Sequence, residues 1–246
     1  MKLYRVNLRF LGFIIFASRV AFAMATTEQP TFTPPIKAIL FDHDDTLVST
    51  IQAKWAQHKF IAKIFYGKDL QDDEIRLHWG KPFSVMIKLL YNTDDVESAM
   101  SHNLCARKDF PKVLFEDTIK TLVFLRNTKM KIGLVTATTL SSLENDFTTL
   151  NISRQLFDYV QTEEDTVYHK PDSRVFAPAL KWLAQEQIHP NEVLYVGDSL
   201  NDMKAALGAG LQFLGIPTGL TSLEEFRQNQ ANGIQRLREI TELPTP

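Results

Sequence analysis

The stretch that decides the fold runs from Ile36 to Leu47 and reads IKAILFDHDDTL. Its apolar first half, which ends at Phe41, predicts a short buried strand. Three acids follow at once: Asp42, Asp44 and Asp45. In open parallel sheets ligands bind just outside the carboxyl ends of the strands, and side chains two residues apart on a strand point the same way. We therefore expect Asp42 and Asp44 to face one reacting group at the edge of a sheet.

Carboxylates this close repel each other, so they persist where a cation neutralises them or where one of them holds a proton. A calcium-binding EF-hand loop starting at Asp42 is excluded, because it needs glycine at the sixth position and glutamate at the twelfth. This chain has Leu47 and Ala53 there. A solvated acidic turn stays open on the evidence of this stretch alone.

Apolar runs and helical patterns alternate through the second half of the chain. Strands are predicted at 131–136, 159–161, 193–196 and 212–216, and helices at 118–126, 140–150, 172–187 and 201–209. Pro178 should kink or offset the first turns of its helix, and the tail 222–240 predicts one or two surface helices. This alternation predicts an α/β fold, a Rossmann-like, doubly wound parallel sheet with right-handed crossovers.

The region between Leu47 and Thr118 shows no strand pattern but has apolar residues at helical spacing. It predicts helices at 51–66, 72–77, 82–91 and 94–106. We interpret residues 49–117 as a helical cap domain inserted into a core made of residues 34–48 and 118–246.

Composition narrows the possible partners. The 246 residues are 44% hydrophobic, enough for one core and a smaller accessory unit. Lys and Arg number 27 and Asp and Glu 29, a net charge of -2, so we expect no binding to nucleic acid and no stable membrane association. A single cysteine, Cys105, excludes an intramolecular disulfide. We expect a monomer or a homodimer.

Residues 1–23 resemble a secretory signal peptide, with Lys2, Arg5 and Arg9 ahead of an apolar run. Arg19 interrupts the end of that region, and a second methionine, Met24, opens a polar stretch that suits the start of a cytoplasmic protein. We treat residues 1–33 as a leader and linker and expect a cytoplasmic location, with export as the alternative.

A second acidic motif follows the predicted strand at 193–196. Gly197 provides a tight turn, then come Asp198 and, one helical turn later, Asp202. Asp198 could simply cap the next helix. Together with Asp42 and Asp44 at the same sheet edge, however, it predicts a magnesium site, because carboxylates and waters suit that ion.

Two further residues could bind a phosphate. Thr136 ends the strand at 131–136, where its hydroxyl could donate to a phosphate oxygen, and Lys170, in a loop before Pro171, could pair with the same group. Alone, each is a weak signal. In sequence order, however, DxDxT, the strand-end Thr, Lys-Pro and GDSxxD together resemble the haloacid dehalogenase superfamily of aspartate-nucleophile phosphatases.

Within that superfamily the helical insert resembles the cap of the phosphoglycolate phosphatase-like and β-phosphoglucomutase-like branch. The resemblance implies that Asp42 attacks phosphorus and forms an aspartyl-phosphate, while Asp44 serves as general acid and then as general base. It also implies that Thr136 and Lys170 hold the phosphoryl group. The implied ligands of Mg²⁺ are Asp42, the Asp44 backbone carbonyl, Asp198 and Asp202, the last directly or through water. Asp45 departs from the family pattern, which usually has glycine there.

The substrate contacts implied by the resemblance lie in the cap. The segment 79–82, WGKP, resembles a Gly-x-Pro loop that this branch turns toward the active site, so Lys81 and Arg76 are candidates to meet a substrate carboxylate or second phosphate. His43 should point away from the acids by strand alternation, but from the loop it could contact the leaving group. We predict a magnesium-dependent phosphatase of a small phosphorylated metabolite; a sugar phosphomutase, a phosphonate hydrolase and a non-catalytic binding protein are the alternatives.

Overall fold

The computed structural model describes residues 32–243, so the predicted leader up to residue 31 lies outside the described residues. A six-stranded sheet with the order β5-β4-β1-β6-β7-β8 forms its centre, and every strand pair in it is parallel. The strands are β1 (Ala38–Phe41), β4 (Lys131–Val135), β5 (Tyr159–Gln161), β6 (Val193–Gly197), β7 (Gln212–Gly215) and β8 (Asn232–Gly233). The predicted parallel α/β sheet is confirmed.

Strand β1 lies at the middle of this sheet, and its four residues are at most 1% exposed. Helix α5 (Thr118–Arg126) packs Leu122 and Leu125 in the hydrophobic cluster on the Phe41 side of the sheet, together with residues of the tail. Helices α7 (Ala177–Gln185) and α8 (Leu200–Gly208) cover the Leu40 side, and helix α6 (Leu140–Thr149) follows β4. Burial on both faces explains why β1 reads as an almost continuous apolar run.

Four helices follow the first strand: α1 (Ile51–Tyr66), α2 (Asp72–His78), α3 (Phe83–Tyr91) and α4 (Val96–Ala106). They bury a hydrophobic cluster of their own, in which Ile61, Ile75 and Ile87 are fully buried. Leu220, from the segment that follows β7, also packs against this cluster. The division into core and cap stays a prediction, which the separate cluster supports.

The prediction that no strand lies between Leu47 and Thr118 is wrong. Strand β2 (Val48–Ser49) pairs antiparallel with β3 (Val113–Leu114), so the two connections between core and cap run side by side. Each strand has only two residues, too few to show a periodic pattern.

The tail also differs from the predicted surface helices. Helix α9 (Leu223–Gln228) forms, but the chain then adds β8 to the sheet and ends in a 3₁₀ segment, Leu237–Glu242. Ile234, Leu237 and Ile240 are at most 3% exposed and pack in the main core. At the earlier helix, Pro178 lies in the first turn of α7, after a 3₁₀ segment at Ser173–Phe176, as the predicted offset requires.

Within residues 32–243, no helix combines the length and the apolar character needed to cross a bilayer.

Candidate active site

The carboxyl ends of the three central strands converge on one edge of the sheet. Phe41 of β1 is in register with Leu134 of β4 and with Val196 of β6. Asp42 leaves β1 at this level, and its backbone N–H donates to the Val196 carbonyl over 2.9 Å. Thr136 and Asp198 follow the other two strands, so the parallel register brings residues far apart in sequence to the same edge.

The ammonium of Lys170 lies among the acids of this edge. Its Nζ is 3.0 Å from Asp42 Oδ1, 2.7 Å from Asp202 Oδ1 and 2.5 Å from the Tyr195 hydroxyl. Burial alone would lower the pKa of Lys170, but the charges of Asp202 and Asp42 raise it above its usual value. The lysine is therefore a fixed cation beside Asp42. Sequence analysis did not single out Tyr195, whose hydroxyl also donates to the Val135 carbonyl over 3.0 Å.

Ser199 and Asp202 together cap the N-terminus of helix α8, and Asp198 takes no part in this cap. Ser199 is the N-cap: its Oγ accepts from the Asp202 backbone N–H over 3.1 Å, while Asp202 Oδ2 accepts from the Ser199 N–H over 3.1 Å. The alternative that Asp198 caps this helix is therefore wrong. Asp198 instead packs against Gly219, where an added Cβ would lie 1.8 Å from Asp198 Oδ2. This close approach leaves no space for a side chain at Gly219.

The three acids at this edge fit a divalent cation. Carboxylate oxygens of Asp42, Asp198 and Asp202 lie within 4.8 Å of one another. Burial, then the charges of Asp202 and Asp44, raises the pKa of Asp42 to about 7 in spite of Lys170. Burial and the charges of Asp202 and Asp42 also raise the pKa of Asp198 well above its ordinary value. One ammonium does not balance three carboxylates, and a divalent cation with oxygen ligands would.

Asp44 is held by three donors of its own. Its Oδ1 accepts from Lys112 Nζ over 2.6 Å and from the Thr50 hydroxyl over 2.5 Å, and its Oδ2 accepts from the Thr138 hydroxyl. Burial alone would raise the pKa of Asp44, but Lys112 and the hydrogen bonds hold it below its usual range. None of these donors belongs to a motif, and sequence analysis missed all three.

Behind Asp44 lies a buried acid, Asp146 of α6. Its Oδ2 accepts from Lys112 Nζ over 2.7 Å and lies 3.1 Å from His43 Nε2. The side chain of His43 is fully buried, edge-on to Phe147. This burial favours the expectation that His43 points away from the acids over the alternative that it contacts the leaving group. His43 comes two residues after Phe41, and its ring is buried in the core, where Asp146 is its polar partner.

The remaining predicted residues are Thr136, just after β4, and the two cations Arg76 and Lys81. Thr136 is buried, and its Oγ1 accepts from the Thr138 backbone N–H over 3.0 Å. Arg76 is exposed, with its guanidinium 5.5 Å from the ring centroid of Trp55. Lys81 is also exposed. Within the described residues, neither cap cation hydrogen-bonds to an acid of the site.

Asp45 shows why this chain departs from glycine in the DxDxT motif. Its backbone has φ 55°, a left-handed conformation that glycine adopts freely and that Asp tolerates. Its Oδ1 accepts from the backbone N–H groups of Thr50 and Ile51, both over 2.9 Å. Thr50, at the N-cap of α1, makes no capping bond with its own side chain. Asp45 therefore caps helix α1 from five residues upstream of its N-cap.

We expect Asp45→Ala to lower the free energy of unfolding by about 2 kcal/mol, from the lost capping bonds and the left-handed backbone. Asp45→Asn is the matched control, since an amide oxygen can accept the same bonds and asparagine tolerates the same backbone. Urea unfolding of the two variants measures the difference. Equal stability of the two would show that the capping bonds contribute nothing.

Comparison with known proteins shows which family the chain belongs to. The sequence pattern of the family of haloacid dehalogenase-like hydrolases matches residues 39–216. The chain belongs to this family. The family assignment makes it a hydrolase and confirms the resemblance drawn from the motifs. The match extends from within β1 to just past β7 and so includes all the strand ends described above.

Individual relatives agree with the family. A Clostridium perfringens protein named as the pyrophosphatase PpaX is 30% identical over 200 residues, which is 79% of this chain and 90% of that protein. Phosphoglycolate phosphatase of Nitrosospira multiformis is 28% identical over 228 residues, 86% of this chain and 97% of that protein. Among solved structures, a haloacid dehalogenase-like hydrolase from Bacteroides fragilis superposes with a TM-score of 0.69 at 26% identity, covering 83% of this chain and 99% of that one.

Proposed function

We propose that this hydrolase is a magnesium-dependent phosphatase that cleaves small phosphorylated metabolites through an aspartyl-phosphate on Asp42. The observation that carries the proposal is the setting of Asp42. It lies at a strand end, 3.0 Å from a lysine cation, in a cluster of acids that fits a divalent cation. Two relatives with high coverage are named as a pyrophosphatase and a phosphoglycolate phosphatase, which supports the same class of reaction.

Asp42 is the nucleophile of this proposal. Its carboxylate oxygen bonds to phosphorus as the bond between phosphorus and the leaving oxygen breaks, and water then hydrolyses the acyl phosphate. Lys170 and the Thr136 hydroxyl hold the transferring phosphoryl oxygens, where negative charge must be offset. Lys170 meets this requirement because its charge is fixed by Asp42 and Asp202.

Asp44 moves the proton in both steps. It gives a proton to the leaving oxygen in the first step and takes one from the attacking water in the second. In this structure Lys112, Thr50 and Thr138 hold Asp44 in the ionised form, which is the form that the second step uses. The first step uses the protonated form, so Asp44 must take up a proton when the substrate binds, and the proton that it takes from the attacking water restores that form.

Mg²⁺ would be held by Asp42, the Asp44 backbone carbonyl and Asp198. Asp202 would act through water, because Lys170 and Ser199 already occupy its two oxygens. When bound, the cation neutralises the crowded carboxylates and the charge on the phosphoryl oxygens. The choice of magnesium rests on the hard oxygen ligands and on the family resemblance.

Binding of Mg²⁺ should release protons near neutral pH. The pKa of Asp42 is about 7 without metal, so a large fraction of this carboxyl is protonated at pH 6 and must ionise to act as a ligand. We expect more proton release at pH 6 than at pH 8, and tighter apparent binding as the pH rises between them. Calorimetry in two buffers of different ionisation enthalpy counts these protons. Absence of release at pH 6 would contradict the assignment of a protonated acid at the metal site.

The function itself is tested by phosphate release from a panel of small esters and anhydrides, with Mg²⁺ and with a chelator. The panel includes 2-phosphoglycolate, inorganic pyrophosphate and sugar monophosphates. We expect release that requires the metal. If a folded protein instead interconverts sugar phosphates without releasing phosphate, the mutase alternative replaces the proposal. If it instead cleaves a phosphonate to an aldehyde, the phosphonate hydrolase alternative replaces the proposal. If it does none of these, a binding role replaces it. A cytoplasmic location and a monomeric or dimeric state remain predictions.

A further inference from the structure

Three cations lie where the chain passes between core and cap: Lys54 in the first turn of α1, Arg107 just after α4, and Lys112 just before β3. We call these three residues the junction cations. The antiparallel pair of β2 and β3 explains how they meet, because it joins the connection that leads to Lys54 to the connection that carries Lys112. None of the three belongs to a motif identified in the sequence.

The junction cations carry more positive charge than the acids beside them can balance. Lys112 Nζ contacts both Asp44 Oδ1 at 2.6 Å and Asp146 Oδ2 at 2.7 Å, and Arg107 Nη2 lies 3.8 Å from Asp146 Oδ1. Lys54 makes no ion pair among the described residues, and its recorded hydrogen bond is a long one, 3.4 Å, to Gln57 Oε1. Three cations thus face two carboxylates.

The electrostatics of Lys54 point the same way. Burial, followed by the charges of Lys112 and Arg107, lowers the pKa of Lys54, and the opposing charges of Asp44 and Asp146 do not restore it. A partly buried ammonium in a locally positive field is stabilised by an added anion. The position of Asp44 shows where such an anion would lie, since Asp44 serves the leaving oxygen in the proposed mechanism and touches Lys112.

We propose that the junction cations form a subsite for a second anionic group, carried by the leaving group of the substrate close to the scissile oxygen. This proposal rests on the proposed phosphatase function and narrows its substrate class. The enzyme prefers phosphate esters or anhydrides whose leaving group bears a carboxylate or a phosphate within a few bonds of the oxygen that Asp44 protonates. A neutral leaving group of the same size leaves Lys54 and Arg107 without an anionic partner from the substrate.

The geometry limits how far this anion can lie from the reaction. Lys112 donates both to Asp44, which serves the leaving oxygen in the proposed mechanism, and to Asp146, the buried acid of α6. An anion that meets Lys112 must therefore lie close to the leaving oxygen. The carboxylate of 2-phosphoglycolate and the second phosphate of pyrophosphate are both short enough to meet a cation beside Asp44. Charged–charged hydrogen bonds of this kind are stronger than neutral ones and select their ligands by charge.

The test compares substrates that share a primary alcohol as the leaving oxygen and differ in the charge of the leaving group. The pairs are 2-phosphoglycolate against 2-hydroxyethyl phosphate, and the bisphosphate of ethylene glycol against 2-hydroxyethyl phosphate. For each pair we measure the ratio of kcat/KM in the wild type, in Lys54→Met and in Arg107→Met. Lys108→Met is the matched control, because Lys108 is exposed, lies next to Arg107 and undergoes the same loss of charge. We expect the anionic preference to fall by about tenfold in each junction variant and to persist in the control.

The results separate this subsite from the proposed function. If the junction variants slow both members of a pair equally, the subsite is overturned while the phosphatase stands. If the wild type releases phosphate from no ester, the phosphatase function is overturned, and the subsite is then tested by ligand binding alone.

That binding test is calorimetry of Asp42→Asn with 2-phosphoglycolate and with 2-hydroxyethyl phosphate. The subsite requires that 2-phosphoglycolate bind more tightly, and that the double variant with Lys54→Met bind the two esters equally. Equal binding of the two esters overturns the subsite. The pair with the larger ratio shows whether carboxylate or phosphate is preferred.

Discussion

Asp42→Asn should abolish phosphate release, lowering kcat by on the order of 10⁴-fold or more, while the protein stays folded. An amide does not form the acyl phosphate through which the proposed reaction proceeds. The fold should tolerate the change, because an amide oxygen can still accept from Lys170. The substitution also removes an acid whose pKa is raised by burial and then by the charges of Asp202 and Asp44. Initial rates with 2-phosphoglycolate and thermal unfolding of the same sample measure the two effects.

Asp45→Asn is the matched control for that variant. It makes the same change of acid to amide three residues away, at a carboxylate that caps α1 rather than facing phosphorus. We expect it to keep most of the activity. Residual kcat in Asp42→Asn within tenfold of the wild type would contradict the assignment of Asp42 as nucleophile.

Lys170→Met should lower kcat by about 10³-fold, the second largest loss that we expect. The lysine offsets charge on the transferring phosphoryl group, and its loss also leaves Asp42 and Asp202 without their shared cation. Two uncompensated buried carboxylates should cost about 3 kcal/mol of unfolding free energy at neutral pH. This cost should shrink as the pH falls through about 7, because burial raises the pKa of Asp42 to about 7 and the folded protein then holds a proton there that the unfolded chain lacks.

Lys170→Arg separates charge from shape at this position. The guanidinium keeps the positive charge but presents a planar fork in place of a compact ammonium. We expect it to recover most of the stability lost in Lys170→Met and only part of the rate. Activity of Lys170→Met close to that of the wild type, in a protein of unchanged stability, would show that Lys170 does not act on the phosphoryl group.

Several of the residues that sequence analysis placed at the site directly follow visible strands. Asp42 and Asp198 come after apolar runs, and a parallel sheet brings strand ends together whatever their separation in sequence. Lys170 was found through the order of the motifs, because a lone Lys-Pro dipeptide has no structural signal of its own. The alternation of strands and helices likewise sufficed for the fold class, which the structure and the family match confirm.

The residues that sequence analysis missed act through tertiary contacts. Lys112 meets Asp44 only because β2 and β3 pair, and these strands are too short to predict from pattern. Asp146 is a helix residue whose burial depends on how α6 packs. Strand alternation predicted that His43 points away from the acids, and its ring is buried, but its partner there, Asp146, could not be predicted. Such contacts follow from packing, which no local pattern specifies.

The central claim is that a phosphoryl group passes through Asp42. Its most direct test is to mix the enzyme with Mg²⁺ and a substrate found by the panel, quench in acid during turnover, and map the phosphorylated peptide by mass spectrometry. We expect a phosphoryl group on the peptide that contains Asp42, lost on treatment with hydroxylamine, as an acyl phosphate requires, and absent from Asp42→Asn. Turnover with no phosphorylated aspartate in the quenched wild-type enzyme, or a phosphoryl group on another residue, would contradict the claim.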